Sequence, residues 1–279
     1  MELVSPTAAE RYDALLAHAD RLLVALDFDG TMAPIVADPE RAFAHPGAGE
    51  ALAQVAAQVR AVAIVTGRPV HQVLQLGRFV DLADRLGDTD RELVILGQYG
   101  NERWDSTHRE ISAPEVPPGL TALREELPAL LEEAAATDAW IEEKGLAVGV
   151  HTRRTDDPNA TYDRLLPVLG RAAERHGLAV EPGRLVVEVR AGDRDKGQAL
   201  RELVVELGAE AVVFLGDDLG DLPAFTVVEE LRRDGMAGLL VCSASAEQAA
   251  LREHADVVVD GPDGVVSWLH RLAGDLAGP

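Results

Sequence analysis

Short, wholly apolar runs recur along this chain, and each stops at a polar or glycine-rich corner. They are 22–26 before Asp27, 62–65 before Thr66, 93–96 before Gly97, 212–215 before Gly216, 239–241 before Cys242 and 257–259 before Asp260. Uninterrupted aliphatic runs of this length suit strands buried on both faces of a parallel sheet. Amphipathic stretches lie between several of them. Residues 49–60 are alanine-rich with apolar positions at helical spacing, and Leu200, Leu203, Val204 and Leu207 form one stripe within 196–207. The alternation predicts an α/β fold built on a doubly wound, mostly parallel sheet. In such sheets the site lies at the carboxyl ends of the strands, which is where the corners fall.

The middle of the chain breaks this rhythm. After Ser112 come Pro114, Pro117, Pro118 and Gly119, then a helix over 120–135, strands over 140–143 and 146–152 turning near Gly145, a helix over 159–176, and strands over 178–181 and 185–189 turning at Pro182-Gly183. An α-β-β-α-β-β order suits a small antiparallel module inserted in the larger domain. The expected division is 1–111 and 186–279 for the core and 112–185 for an inserted α+β cap. Residues 221–234 and the alanine- and glycine-rich tail carry no clear pattern.

Charge narrows the partners. Acidic residues number 48 against 26 basic ones, a formal charge of −22 over 279 residues. Such a field repels polyanions, so neither nucleic acid nor an anionic membrane is an expected partner. No apolar run approaches the ~18 residues of a membrane span. The first residues show no basic segment followed by an apolar one, so a cytoplasmic location is expected. Cys242 is the only cysteine, which excludes an intrachain disulfide and a thiolate metal cluster, and its apolar surroundings suit a buried, inert thiol. Only two of the basic residues are lysines, Lys144 and Lys196. They are either the remainder of a composition bias or places where a compact ammonium is needed and a planar guanidinium does not serve.

Four corners carry chemistry. In Asp27-Phe28-Asp29-Gly30, residues two apart in an extended segment point the same way, so both carboxylates face one site. They suit a hard divalent cation, or a nucleophile beside an acid/base; a solvated acidic turn is the other reading. Thr66-Gly67-Arg68-Pro69 offers a hydroxyl to a phosphate oxygen or simply caps a helix. Lys196 opens a helix, where the dipole disfavours an ammonium unless it neutralises something else. Asp217, Asp218 and Asp221 after a buried strand repel one another unless a cation lies among them; an exposed acidic loop is the alternative.

In this order the corners resemble the haloacid dehalogenase-like phosphatases, whose motifs are Asp-x-Asp, Thr/Ser, Lys and Gly-Asp-x-x-x-Asp. Further segments are similar to the trehalose-6-phosphate phosphatase family: 25–31, 64–68, Gly97-Gln98-Tyr99-Gly100-Asn101-Glu102, Glu142-Glu143-Lys144-Gly145, His151-Thr152-Arg153, 185–190 and Asp195-Lys196-Gly197. The resemblance runs from about residue 21 to 272. Two departures stand out. Gly220 and Leu222 replace a Thr and a Glu of the family, so any bond those side chains make is lost, and Thr152 replaces an aromatic.

The resemblance implies a Mg2+-dependent phosphatase that hydrolyses trehalose 6-phosphate to trehalose and phosphate. It makes Asp27 the nucleophile that becomes an aspartyl-phosphate, and Asp29 the acid that protonates the leaving sugar and then activates water. Asp27, the Asp29 main-chain carbonyl and Asp217 would hold Mg2+, with Asp218 and Asp221 supporting them; an oxygen-rich site also accepts Mn2+. Thr66 and Lys196 would bind the transferring oxygens. Gly67, Arg68, Asn101, Glu142, Lys144, Arg153 and Glu188 would bind substrate. A monomer is expected, linked in its pathway to a trehalose-phosphate synthase. Related capped phosphatases for sucrose phosphate or mannosyl-3-phosphoglycerate share the core motifs. A silent regulatory homologue would have no chemical need for the whole set.

Overall fold

The computed structural model describes residues 2–4, 6–36, 38–87, 90–244 and 249–278. The chain divides into two compact units, Met1–Ala113 with Asp195–Pro279, and Pro114–Arg194.

The first unit begins with β1 (Glu2–Leu3), α1 (Ala8–Leu16), β2 (Leu22–Leu26), α2 (Ala48–Ala56), β3 (Ala61–Val65), α3 (Val70–Gly77), α4 (Phe79–Leu86), β4 (Glu92–Gly97) and β5 (Glu102–Asp105). The second unit then supplies α5 (Pro118–Glu133), β6 (Trp140–Glu143), β7 (Ala147–His151), α6 (Pro158–His176), β8 (Ala179–Gly183) and β9 (Val186–Arg190). The first unit resumes with α7 (Lys196–Leu207), β10 (Ala211–Gly216), α8 (Leu222–Arg233), β11 (Ala237–Ala244), α9 (Ala249–His254), β12 (Val257–Asp260) and α10 (Gly261–Leu276).

Its sheet runs β1-β12-β11-β10-β2-β3-β4-β5. The strands from β12 to β4 are parallel, and the edge strands β1 and β5 are antiparallel to their neighbours. The all-apolar runs are thereby explained, because both faces are covered. On β2, Leu22, Val24 and Leu26 join one core with Leu15 of α1, Leu52 of α2 and Trp268 of α10. Leu23 and Ala25 point the other way, into a core with Leu200 of α7 and Phe225 of α8. From β2 the chain steps outward through β3 and β4, and it returns on β10 at the opposite side. The strand order therefore reverses at β2, and a doubly wound sheet opens its crevice at such a point.

The second unit is a four-stranded antiparallel sheet, β6-β7-β9-β8. Val148, Val150, Val187 and Val189 pack from one face onto Leu123 and Leu127 of α5 and Leu165 and Leu169 of α6. The predicted α-β-β-α-β-β order is present. The unit ends at Arg194 rather than at residue 185, because β9 pairs with β7 and β8 and so belongs to this sheet. The turn between β8 and β9 falls at Arg184 and Leu185 (φ 58°), not at Pro182-Gly183, which remain paired within β8.

Two stretches with no clear pattern in the sequence are helical. Pro223 stands in the first turn of α8, and α10 buries Val265, Trp268, Leu269 and Leu272. No helix among the described residues is long and apolar enough to cross a membrane.

Trp268 is 2% exposed and meets the Tyr12 ring edge-on at 6.4 Å. Trp268→Ala is expected to cost about 3–5 kcal/mol, because the cavity adds to the lost transfer energy. A loss of unfolding free energy below about 1 kcal/mol in urea would show that the helix does not depend on this anchor.

Candidate active site

Asp27, Thr66 and Asp217 follow the carboxyl ends of β2, β3 and β10, three neighbouring strands. The Asp27 N–H donates to the Leu215 carbonyl at 2.9 Å, which prolongs the pairing and keeps the residue extended. The chain then turns sharply. Met32 and Ala33 donate to the Phe28 carbonyl, and Gly30, at φ +73°, donates to Ala33. A Cβ on Gly30 would lie 2.0 Å from Oδ2 of Asp217, so the glycine serves both the turn and the close approach of that carboxylate. Ser243, at the end of β11, donates its hydroxyl to the Gly30 carbonyl at 2.7 Å. The sequence offered no sign of this anchor.

Three carboxylates, those of Asp27, Asp217 and Asp221, are buried with ligand atoms within 4.8 Å of one another. The Lys196 ammonium donates to Asp27 at 2.7 Å and to Asp221 at 2.8 Å. The other oxygen of Asp221 accepts the N–H groups of Asp217 and Asp218 at 2.9 and 3.2 Å. Asp221 therefore holds the loop and the lysine. Asp218 is exposed and caps the turn by accepting the Gly220 N–H at 2.8 Å. The loop is closed without the family's Thr and Glu: Leu222 packs on the apolar core instead.

One ammonium cannot balance three carboxylates. Burial, with Asp221 and Asp218 adding to it, pushes the Asp217 carboxyl up to about 8. Burial also raises Asp27, against the pull of Lys196, and Asp221 is raised by burial too. Burial works to lower Lys196, but Asp221 and Asp27 outweigh it and hold the amine above its ordinary value. Oδ2 of Asp217 is buried with no hydrogen-bond partner among the described residues. An unpartnered carboxylate oxygen in a set of hard oxygen donors fits a divalent cation such as Mg2+.

Asp29 points elsewhere. Its carboxylate is outside the buried cluster, 38% exposed, and takes a two-pronged contact from Arg68, Nε at 2.6 Å and Nη2 at 2.7 Å. Arg68 also donates to the Pro39 carbonyl at 2.9 Å and lies 5.8 Å from the centre of the Phe28 ring. The Thr66 hydroxyl accepts the Arg68 N–H at 3.2 Å. This loop is fixed from the next strand. Gln98 and Tyr99 both adopt left-handed backbone (φ 50° and 58°), and their N–H groups donate to the Arg68 and Thr66 carbonyls. Such conformations cost energy in non-glycine residues and persist where surrounding structure enforces them. The Tyr99 ring lies so close to Gly67 that a Cβ there would come within 2.9 Å. Asn101 donates to the Gln98 carbonyl at 2.8 Å and so closes this turn. Buried Glu102 accepts the Val70 N–H at 2.7 Å. A signal for that role existed: α3 has Pro69 at its N-cap, so its first donors need a partner from outside.

The second unit carries its own cluster. Lys144 donates to Glu188 at 2.5 Å and lies 3.6 Å from Glu142, whose Oε2 contacts His151 at 2.8 Å. Oε1 of Glu188 is buried with no partner among the described residues. Arg153 is exposed, and no contact brings it into this cluster; its neighbour Arg154 lies over the Trp140 ring instead.

The sequence model described as Trehalose-phosphatase matches residues 25–257. A probable trehalose-phosphate phosphatase H of Arabidopsis thaliana is 29% identical over 279 residues, covering 96% of this chain and 76% of its own. An uncharacterized glycosyl hydrolase of Mycobacterium tuberculosis is 33% identical across 97% of this chain, which spans only 20% of that relative's length. Among solved structures, the C-terminal domain of the Candida albicans trehalose-6-phosphate phosphatase has a similar fold, with a TM-score of 0.75, 20% identity and 98% of both chains covered.

The raised Asp217 has two measurable consequences. At neutral pH without metal it holds its proton, so a divalent cation must displace it. Mg2+ binding near pH 7 is expected to release about one proton and to tighten as pH rises toward 8. Calorimetry in buffers of different ionisation enthalpy reads the proton count; a value near zero would show the carboxylate already ionised. The folded state also holds a proton that the unfolded chain loses above about pH 4, so this group costs stability as pH climbs from there to about 8. Asp217→Asn is therefore expected to raise the Tm of the metal-free protein at pH 8, by on the order of 2 °C, while abolishing Mg2+ binding.

Proposed function

The chain belongs to the trehalose-phosphatase family, and we propose that it hydrolyses trehalose 6-phosphate to trehalose and phosphate. The observation that carries the reaction type is the buried Asp27, held by Lys196 beside the unpartnered oxygen of Asp217. A carboxylate so placed is a nucleophile with its counter-charges already in position.

Asp27 attacks phosphorus, and the bond from phosphorus to the sugar oxygen breaks, leaving an aspartyl-phosphate. Asp29 protonates the departing oxygen, then takes a proton from the water that attacks the phosphoryl group, releasing phosphate and restoring Asp27. Both Asp29 oxygens accept from Arg68. Donation to the sugar requires that one of these contacts yield, so Arg68 sets the orientation of the acid. Thr66 already accepts an N–H, which leaves its hydrogen for a phosphoryl oxygen. Lys196 has a third N–H beyond the two used on Asp27 and Asp221, and directs it to the same group. Asp27, Asp217 and the Asp29 carbonyl would hold Mg2+, which when bound offsets the charge of the phosphate dianion against the carboxylates.

In the second unit, Glu142, Lys144 and Glu188 take the sugar hydroxyls. Two carboxylates that accept and an ammonium that donates suit a neutral polyol, whose hydroxyls do both. The unpartnered Glu188 oxygen supplies an acceptor for one of them. The protein acts as a monomer. It works in the cytoplasm on the product of a trehalose-phosphate synthase.

Phosphate release from a panel of sugar phosphates, with and without EDTA, tests this reading. Turnover is expected on trehalose 6-phosphate and is lost with EDTA. Asp27→Asn is expected to lower kcat by on the order of 10³-fold or more. Faster turnover of sucrose phosphate or mannosyl-3-phosphoglycerate would overturn the substrate, and wild-type rates in the Asn variant would overturn the nucleophile.

A further inference from the structure

One face of the second unit's sheet carries a line of contacts that extends past the Glu142–Lys144–Glu188 cluster. The ladders pair Trp140 with His151, Glu142 with Gly149, and Gly149 with Glu188. Cross-strand partners share a face, so Trp140, Glu142, His151 and Glu188 stand together. The valines of the opposite face pack on the helices. Gly149 leaves a gap in this row: a Cβ there would be 3.4 Å from Nε2 of His151 and 3.6 Å from Oε2 of Glu142. Across that gap His151 reaches Glu142 diagonally, at 2.8 Å.

His151 is itself fixed. Its ring lies 4.5 Å from that of Trp140, tilted by 37°. The Arg154 guanidinium lies 5.3 Å from the centre of the Trp140 ring, within reach of a cation–π contact. The series runs Arg154, Trp140, His151, Glu142, Lys144, Glu188. Its uneven distances are informative. Lys144 sits hard against Glu188 and 3.6 Å from Glu142, while Glu142 keeps its short contact for His151.

Resting on the sugar-binding reading above, we propose that Trp140 and Arg154 are positioning residues: their stack holds His151, and His151 holds the Glu142 carboxylate away from Lys144, in the orientation that reads a sugar hydroxyl. Trp140 does not touch the reacting atoms. Its influence runs through His151 alone and falls on sugar binding rather than on phosphoryl transfer.

The test compares kcat and KM on trehalose 6-phosphate and on p-nitrophenyl phosphate for the wild type, Trp140→Ala, Trp140→Phe, Arg154→Ala, His151→Ala and the Trp140→Ala/His151→Ala double variant. Trp140→Ala is expected to raise KM for the sugar phosphate roughly tenfold, as loss of a ring stack does, with a change at least fivefold smaller on the aryl ester. Phe restores most of the affinity because it keeps the stack. Arg154→Ala moves KM the same way by roughly threefold. The double variant is no worse than His151→Ala alone, since Trp140 acts only through that ring. Equal losses on both substrates, additive losses in the double variant, or a silent Trp140→Ala would each overturn the proposal. Should Trp140→Ala not fold, the Phe and Arg154 variants decide by the same split. A wild type that turns over the aryl ester but not trehalose 6-phosphate would sink the substrate reading instead. The comparison is then run on the sugar phosphate hydrolysed fastest, where the same outcomes judge the positioning role.

Discussion

A single buried ammonium holds the first unit's site together. Lys196 starts α7, yet its side chain ends between Asp27 after β2 and Asp221 after β10. Two strand ends and a helix start are thus tied at one atom. Removing carboxylates from water costs several kcal/mol each, and a lone pair seldom repays it. Here the remainder is met by main-chain donors to Asp221 and by leaving one oxygen of Asp217 for a cation. The site is therefore an unfinished electrostatic balance, of a kind that a bound cation would complete.

The second lysine shows the same device with a different sum. Lys144 also lies among carboxylates, two rather than three, and there the unpartnered atom belongs to Glu188. Neither place suits a guanidinium. A planar fork with five donors needs wider spacing than two carboxylates converging on one nitrogen allow. That is why a chain otherwise using arginine keeps an ammonium at these two positions.

The sequence made the strands legible because burial on both faces leaves only apolar residues, as on β2 and β3. It made the charged cluster legible because acids after such strands have few harmless explanations. Other features depended on pairing that no local pattern encodes. β9 could have joined either unit, and its ladders with β7 and β8 assign it. Asp27 and Asp29, two apart, were expected to share a face, but the turn at Gly30 follows at once, and Asp29 is drawn to Arg68. Asn101 was expected on substrate, and it closes its own turn. Arg153 was expected on substrate; it is exposed, and its neighbour Arg154 lies over the Trp140 ring. Ser243 acts through a carbonyl far away in sequence, which composition and spacing do not reveal.

The two clusters also differ in what keeps them rigid. Beside Lys196, the first unit's site is held by main chain: Asp27 paired to Leu215, left-handed Gln98 and Tyr99 clasping the Thr66 loop, and N–H groups of Asp217 and Asp218 on one carboxylate. The main-chain bonds among these do not depend on the side chains around them. The Lys144 end is held by side chains stacked along a sheet face, each dependent on the next. One substitution there reaches several contacts. Chemistry common to many phosphate esters belongs on the first kind of support. Discrimination among sugars, which differs from one enzyme to another, belongs on the second.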